Sequence, residues 1–155
     1  MKPQRIYLDT SVIGGCFDDE FKIWSNALMK DISTGLFHGV TSELVQAEIA
    51  DAPKNVRKQF LIFLEMNPEV LEIGTEAIEL VDIYIEQKIL AERFRNDMFH
   101  IALSTIADVD VLVSWNFRHI VRYDKIRLFN KVNSVQGYNI LDIYSPREVT
   151  TYEKD

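Results

Sequence analysis

Four oxygen-bearing side chains spread along the sequence, Asp9, Glu48, Asp97 and Asn116, are the residues whose types and settings could do chemistry together. Carboxylates held a few ångströms apart push up one another's pKa unless a cation is present. Oxygen donors without thiolates or paired histidines suit Mg²⁺ or Mn²⁺ better than zinc. Such an ion lowers the pKa of a bound water and neutralises charge that develops on a phosphodiester during in-line attack. The chemistry this donor set suits is metal-assisted hydrolysis of a phosphate ester.

Each group has a local setting that favours or opposes that role. Asp9 closes the apolar run Ile6 to Leu8, and ligands of open α/β sheets sit beyond the carboxyl ends of strands. The same Asp-Thr-Ser letters also make a helix N-cap cluster, which would leave Asp9 without a chemical role. Glu48 lies on a helix that Ser42 is suited to cap; Glu43, five residues earlier, stands about 140° away around that helix. Only one of them can face a shared site: Glu48 is the assignment and Glu43 the reserve. Asp97 opens a periodic helix near its positive end, where it could act as an N-cap. His100, three residues on, suits packing behind the acids, with an auxiliary ligand or proton shuttle as the alternative. His119 reads as an exposed residue able to touch phosphate. Trp115 and Phe117 read as closing the core, with base stacking as the alternative.

The elements that must position these groups follow from periodicity. Short β-branched or aliphatic runs predict strands over Arg5 to Asp9, Gly39 to Thr41, Val70 to Ile73, Val109 to Ser114 and Asn139 to Ile143. Apolar residues at helical spacing predict helices over Phe21 to Ser33, Val56 to Met66, Ala77 to Ile89 and Asp97 to Ala107. Helix alternating with strand predicts a parallel sheet covered on both faces. The nearly all-apolar VDVLVSW belongs in its middle, since both of its faces need cover.

At 155 residues and 18.0 kDa, with 6 Gly and 4 Pro scattered and no repeat, the chain reads as a single domain over residues 1–155. A lone Cys16 excludes an intramolecular disulfide, and Met1 to Arg5 lead into no signal-length apolar segment, so the cytoplasm is the expected compartment. No apolar run approaches the roughly 20 residues needed to span a bilayer, so no membrane association is expected. With 17 basic against 24 acidic residues, the net charge of −7 disfavours diffuse adhesion to polyanions. A nucleic-acid partner must be met locally. The basic segment is Arg118 to Lys131, where Arg118, Arg122, Lys125, Arg127 and Lys131 face one acid, Asp124; it reads as a solvated helix face or a phosphate-holding surface.

YLDTSVI resembles the opening motif of PIN-domain proteins, in particular the VapC-like ribonuclease toxins of prokaryotic toxin and antitoxin pairs. It places the first metal-binding acid at Asp9 and a supporting hydroxyl at Ser11. QAEI is similar to the family's AEL-type helix, with its acid at Glu48. RNDMFHIALS resembles the third motif, with Asp97 as the acid and His100 and Ala102 packed behind. SWNFRHI looks like the fourth, where many relatives carry Asp and this chain has Asn116. An amide there can coordinate through its oxygen or hold a ligating water but adds no charge, so a second ion should bind more weakly.

The resemblance runs the length of the chain and rests on the ordered set, since a strand ending in DTS is common by itself. It implies a three-layer α/β/α PIN-like fold with a mainly parallel sheet of four or five strands. The implied activity is a metal-dependent endoribonuclease holding Mg²⁺ or Mn²⁺ on Asp9, Glu48 and Asp97, completed by Asn116. Ser11, Arg118 and Arg122 are the candidate substrate-binding residues, the arginines positioning the RNA backbone. A homodimer and a small antitoxin protein that blocks the cleft are implied as well. Two other functions suit parts of the pattern: a degenerate module that binds RNA or protein without cutting, and a small-molecule phosphatase. Phosphatases that begin on a strand-end Asp carry a second Asp two residues later, where this chain has Ser11.

Overall fold

The computed structural model describes residues 2–153. In chain order the elements are β1 (Gln4–Leu8), α1 (Thr10–Gly15), α2 (Lys22–Ser33), β2 (Phe37–Ser42), α3 (Glu43–Ala50), α4 (Lys54–Leu64) and β3 (Glu69–Leu71). Then follow α5 (Thr75–Glu86), a 3₁₀ turn (Glu92–Phe94), α6 (Arg95–Ile106), β4 (Val111–Val113), α7 (Tyr123–Val135), β5 (Asp142–Tyr144) and α8 (Pro146–Val149). All strand pairings are parallel, in the order β3-β2-β1-β4-β5. The expected strands and helices are present with ends shifted by a few residues, and the fold is α/β with a five-stranded parallel sheet flanked by helices, consistent with a PIN-like fold.

Strand order decides where a site can lie. The chain steps from β1 to β2 to β3 in one direction, then crosses back over β1 to reach β4 and β5 in the other. Right-handed crossovers running in opposite directions place their helices on opposite faces of the sheet. Accordingly α1 packs on α2 and α4, and α3 on α4, whereas α5 packs on α6 and α7. The direction reverses between β1 and β4, and the crevice beyond their carboxyl ends is where ligands of such sheets bind.

β1 takes the centre of the sheet, with Ile6, Tyr7 and Leu8 wholly buried. VDVLVSW lies one place out, between β1 and β5, with only Val111–Val113 in the ladder. β5 starts later than the apolar run suggests because the Asn130 amide on α7 binds both the N–H (2.8 Å) and the C=O (3.0 Å) of Leu141. Periodicity did not anticipate α1: its side chains carry no long apolar stripe, and it exists because Gly15 permits close approach. A Cβ there would lie 2.6 Å from Ser25 Oγ and 2.7 Å from Trp115 Nε1. Among the described residues, no helix is long and apolar enough to cross a membrane.

Candidate active site

Asp9 follows β1 directly, and its N–H bonds to Val113 O (3.3 Å), continuing the pairing with β4. It stands at the N-cap position of α1, but its side chain makes no capping bond. The carboxylate instead accepts Ser11 Oγ at 2.6 Å on Oδ1 and Ser114 Oγ at 2.5 Å on Oδ2. Ser11 Oγ in turn accepts the Trp115 N–H (2.9 Å), and Ser114 Oγ accepts the Asn116 N–H (2.9 Å). Two hydroxyls thus tie each carboxylate oxygen to the turn that follows β4, across the reversal point of the sheet. Ser11, expected to meet substrate, has its hydrogen committed to Asp9. Burial pushes the Asp9 carboxyl above its ordinary range, against the opposing effects of nearby His100 and the two hydroxyls.

Ser42 caps α3 by accepting the Val45 N–H at 3.2 Å. That helix directs Glu48 to the cleft, where Oε1 accepts Thr10 Oγ1 (2.7 Å) and lies 2.8 Å from His100 Nε2. Burial would raise the Glu48 carboxyl, but the hydrogen bond and charge of His100, with Thr10, hold it below the usual range. Glu43 points elsewhere, its Oε1 accepting the Ile73 N–H at 2.5 Å and fastening α3 to the segment after β3. His100 is buried, with Nδ1 2.7 Å from Tyr7 Oη, which is itself 2.8 Å from Ser42 Oγ. Burial raises the Tyr7 hydroxyl far above its usual range, so it stays protonated. An ionised Glu48 can only accept, so Nε2 of His100 carries a hydrogen toward it. Tyr7 Oη and Ser42 Oγ share a hydrogen bond in which either hydroxyl can donate. One hydrogen-bonded chain runs from the cap of α3 through the core to the carboxylate on the same helix.

Asp97 is the third residue of α6 rather than its N-cap, a position held by Phe94 without a side-chain bond. The first-turn setting leaves its carboxylate free to reach sideways, and Oδ2 lies 2.8 Å from Nδ1 of His119. His119, expected to be exposed, is 9% exposed and packed 4.1 Å from the Phe94 ring. Asn116 Oδ1 accepts the N–H groups of Arg118 (3.2 Å) and His119 (3.0 Å), so the amide oxygen shapes the turn. An expected ligand oxygen is thereby occupied twice by backbone.

The expected arginines differ from each other. Arg122 is paired with Asp124 at 2.8 Å. Arg118 has no carboxylate partner among the described residues, and it lies 5.9 Å from the centre of the Phe94 ring, with Arg93 4.7 Å from the same centre. Trp115 is buried, its indole N–H donating to Ser25 Oγ (2.8 Å), and it stacks on Phe21 at 4.1 Å. Phe117 is half exposed at the rim, 6.1 Å from Trp115.

Asp9, Glu48, Asp97 and Asn116 therefore lie along one hydrogen-bonded rim built from the ends of β1 and β4 and from α3 and α6. Among the described residues no group of three or more His, Cys, Asp or Glu is already arranged to ligate one ion. The donor chemistry nonetheless suits a hard cation. Glu48 Oε2 and Asp97 Oδ1 carry no hydrogen bond among the described residues, and Asp9 is a buried acid whose desolvation outweighs the hydroxyls and His100 that favour its ionised form. Tyr7, Thr10 and Ser114 were not singled out in the sequence. Ser114, the polar end of an apolar strand, and Tyr7, two residues before Asp9 on the same strand face, carried a positional signal.

No protein-family model matches the sequence, and no curated protein does. Among solved structures, the chain is similar to one described as VapBC2 from Rickettsia felis bound to a DNA fragment from their promoter, with a TM-score of 0.54 and 15% identity. The match covers 91% of this chain and 98% of that one. At that identity the likeness is one of fold.

Proposed function

We propose that the protein is a Mg²⁺- or Mn²⁺-dependent endoribonuclease of the VapC-like toxin type. The observation that carries this reading is Asp9, buried at the reversal point between β1 and β4 and fastened to both, with Glu48 and Asp97 on the helices beside it. Asp9, Glu48 and Asp97 would hold the ion. When bound, it would supply an acidified water and neutralise charge on the scissile phosphate. Ser11 and Ser114 hold Asp9 in one orientation, while Thr10 and His100 hold Glu48. Arg118, with no carboxylate partner among the described residues, meets the RNA backbone; Asn116 keeps the turn that carries it. A small antitoxin protein covering this rim, and a homodimer, belong to the same reading; the similarity to a VapBC2 structure supports the antitoxin partner.

The absence of a ready-made three-ligand cluster favours a second reading, a PIN-like module that binds RNA without cutting it. One experiment separates them. RNA incubated with the protein and Mn²⁺ should be cut, chelator should stop it, and Asp97→Asn should lose it; bound but intact RNA would favour the module. Hydrolysis of nucleotide monoesters in place of RNA would favour a phosphatase.

The arginines give a prediction of their own. In chelator, Arg118→Ala should weaken RNA binding and reduce the slope of log affinity against log salt by roughly 0.7, the loss of one phosphate contact on a single strand. Arg122→Ala, its charge already matched by Asp124, should change that slope much less. Equal slopes for the two variants, measured by fluorescence anisotropy, would remove Arg118 from the backbone contact.

A further inference from the structure

We infer that His119 is a positioning residue for Asp97, and that the proposed ion site is incomplete without it. This rests on the endoribonuclease reading above and adds to it a residue outside the acid set. Asp97 lies in the first turn of α6, and the chain links α6 to β4 only at the opposite end of the helix, at Ala107. Ten residues separate Asp97 from that link, or about 15 Å of helix. The local chain therefore does not set where its carboxylate stands relative to the rim of the sheet.

His100 ties the next turn of the helix to Tyr7 and Glu48, and His119 makes the connection for the Asp97 carboxylate itself. Its Nδ1 lies 2.8 Å from Asp97 Oδ2, the carboxylate's one side-chain hydrogen bond among the described residues. Its own N–H is held by Asn116 Oδ1 at 3.0 Å, which anchors the residue to the turn after β4. Phe94, immediately before α6, covers the imidazole at 4.1 Å, and the side chain is 11% exposed, so the ring has little room to swing. An ionised Asp97 accepts, so Nδ1 carries the hydrogen. The bond takes one carboxylate oxygen and leaves the other, Oδ1, held in place. Glu48 is treated alike by His100, which takes Oε1 and leaves Oε2. Partners of this kind orient a ligating group, and their loss typically costs about 10- to 100-fold in metal affinity or activity.

Three variants separate the bond from the packing. His119→Leu keeps apolar volume against Phe94 without a donor. His119→Asn places an amide N–H near the Nδ1 position, and His119→Gln places one near Nε2, away from Asp97. Mn²⁺ binding to the full chain is measured by titration calorimetry, with kcat and KM for RNA cleavage and the melting temperature alongside. The Mn²⁺ dissociation constant should rise roughly 10- to 100-fold in the Leu and Gln variants. Their kcat should fall by a similar factor while KM stays within about twofold, and Asn should recover most of both. If Leu does not fold, the Asn and Gln pair carries the comparison. Unchanged or tighter Mn²⁺ binding in the Gln variant, or an Asn variant as impaired as Gln, would overturn the inference while wild-type cleavage stands. A wild-type chain that neither binds Mn²⁺ nor cuts RNA overturns the endoribonuclease reading and this inference with it.

Discussion

Asp9→Asn is expected to abolish RNA cleavage, by roughly 10³-fold or more, or about 4 kcal/mol of barrier, while leaving the fold intact and more heat-stable in the absence of divalent ions. The activity loss follows from removing the one full charge at the centre of the rim. The gain in stability follows from burial, which raises the Asp9 pKa. A folded-state pKa above the unfolded value means stability that is fully present below the ordinary carboxyl range and is lost as pH rises through the raised value. An amide does not lose it. With an amide, one serine still donates to Oδ1 while the other accepts from Nδ2–H and can turn its own hydrogen toward the neighbouring serine oxygen, 3.5 Å away. The variant should therefore melt above wild type at pH 7, with the gap closing on acidification. Mg²⁺ or Mn²⁺ should raise the wild-type melting temperature through binding to the folded state and leave the variant unmoved. A variant that still cuts RNA would remove Asp9 from the chemistry, and one that melts at the same temperature at every pH would remove the burial argument.

Tyr7→Phe should separate support from chemistry. The hydroxyl bridges Ser42 Oγ and His100 Nδ1 among wholly buried neighbours. Its loss leaves His100 Nδ1 without that partner and Ser42 Oγ with only the Val45 N–H, and an unsatisfied buried group costs about 1–3 kcal/mol. We expect a loss of about 2 kcal/mol, or a fall in melting temperature of roughly 4–8 °C. Cleavage should fall roughly 10- to 100-fold, because His100 no longer has a fixed orientation toward Glu48. Ser42→Ala breaks the same chain one link earlier, so the double variant should lose less stability than the two single losses combined. Strict additivity in denaturant melts would mean that the chain does not act as a unit.

Much of the fold was legible because its signals are local. Helix and strand periods in Phe21 to Ser33 and Val109 to Ser114 reflect which faces must be buried, and the Ser42 cap is a contact between residues three apart. Boundaries were less legible where a distant side chain intervenes, as Asn130 does at Leu141. α1 depends on the space beside Gly15, which Trp115 and Ser25 define from far along the chain. Within the site, the separation of Glu48 from Glu43 followed from helix geometry. The environment of His119 did not, because a histidine after an arginine carries no mark of whether its ring meets solvent or Phe94.

By itself the sequence determined the alternation of helices and strands, the parallel sheet and the residue types from which a hard-ion site could be made. These depend on burial periodicity and donor chemistry, which neighbouring letters express. Only the tertiary structure decided that β1 stands at the centre, that the Asp9 carboxylate is tied to Ser11 and Ser114 rather than capping α1, and that His100 and His119 each grip one of the outer acids. Those outcomes depend on strand order and on contacts such as Ser114 to Asp9, between residues 105 positions apart, whose energies no stretch of neighbouring residues encodes.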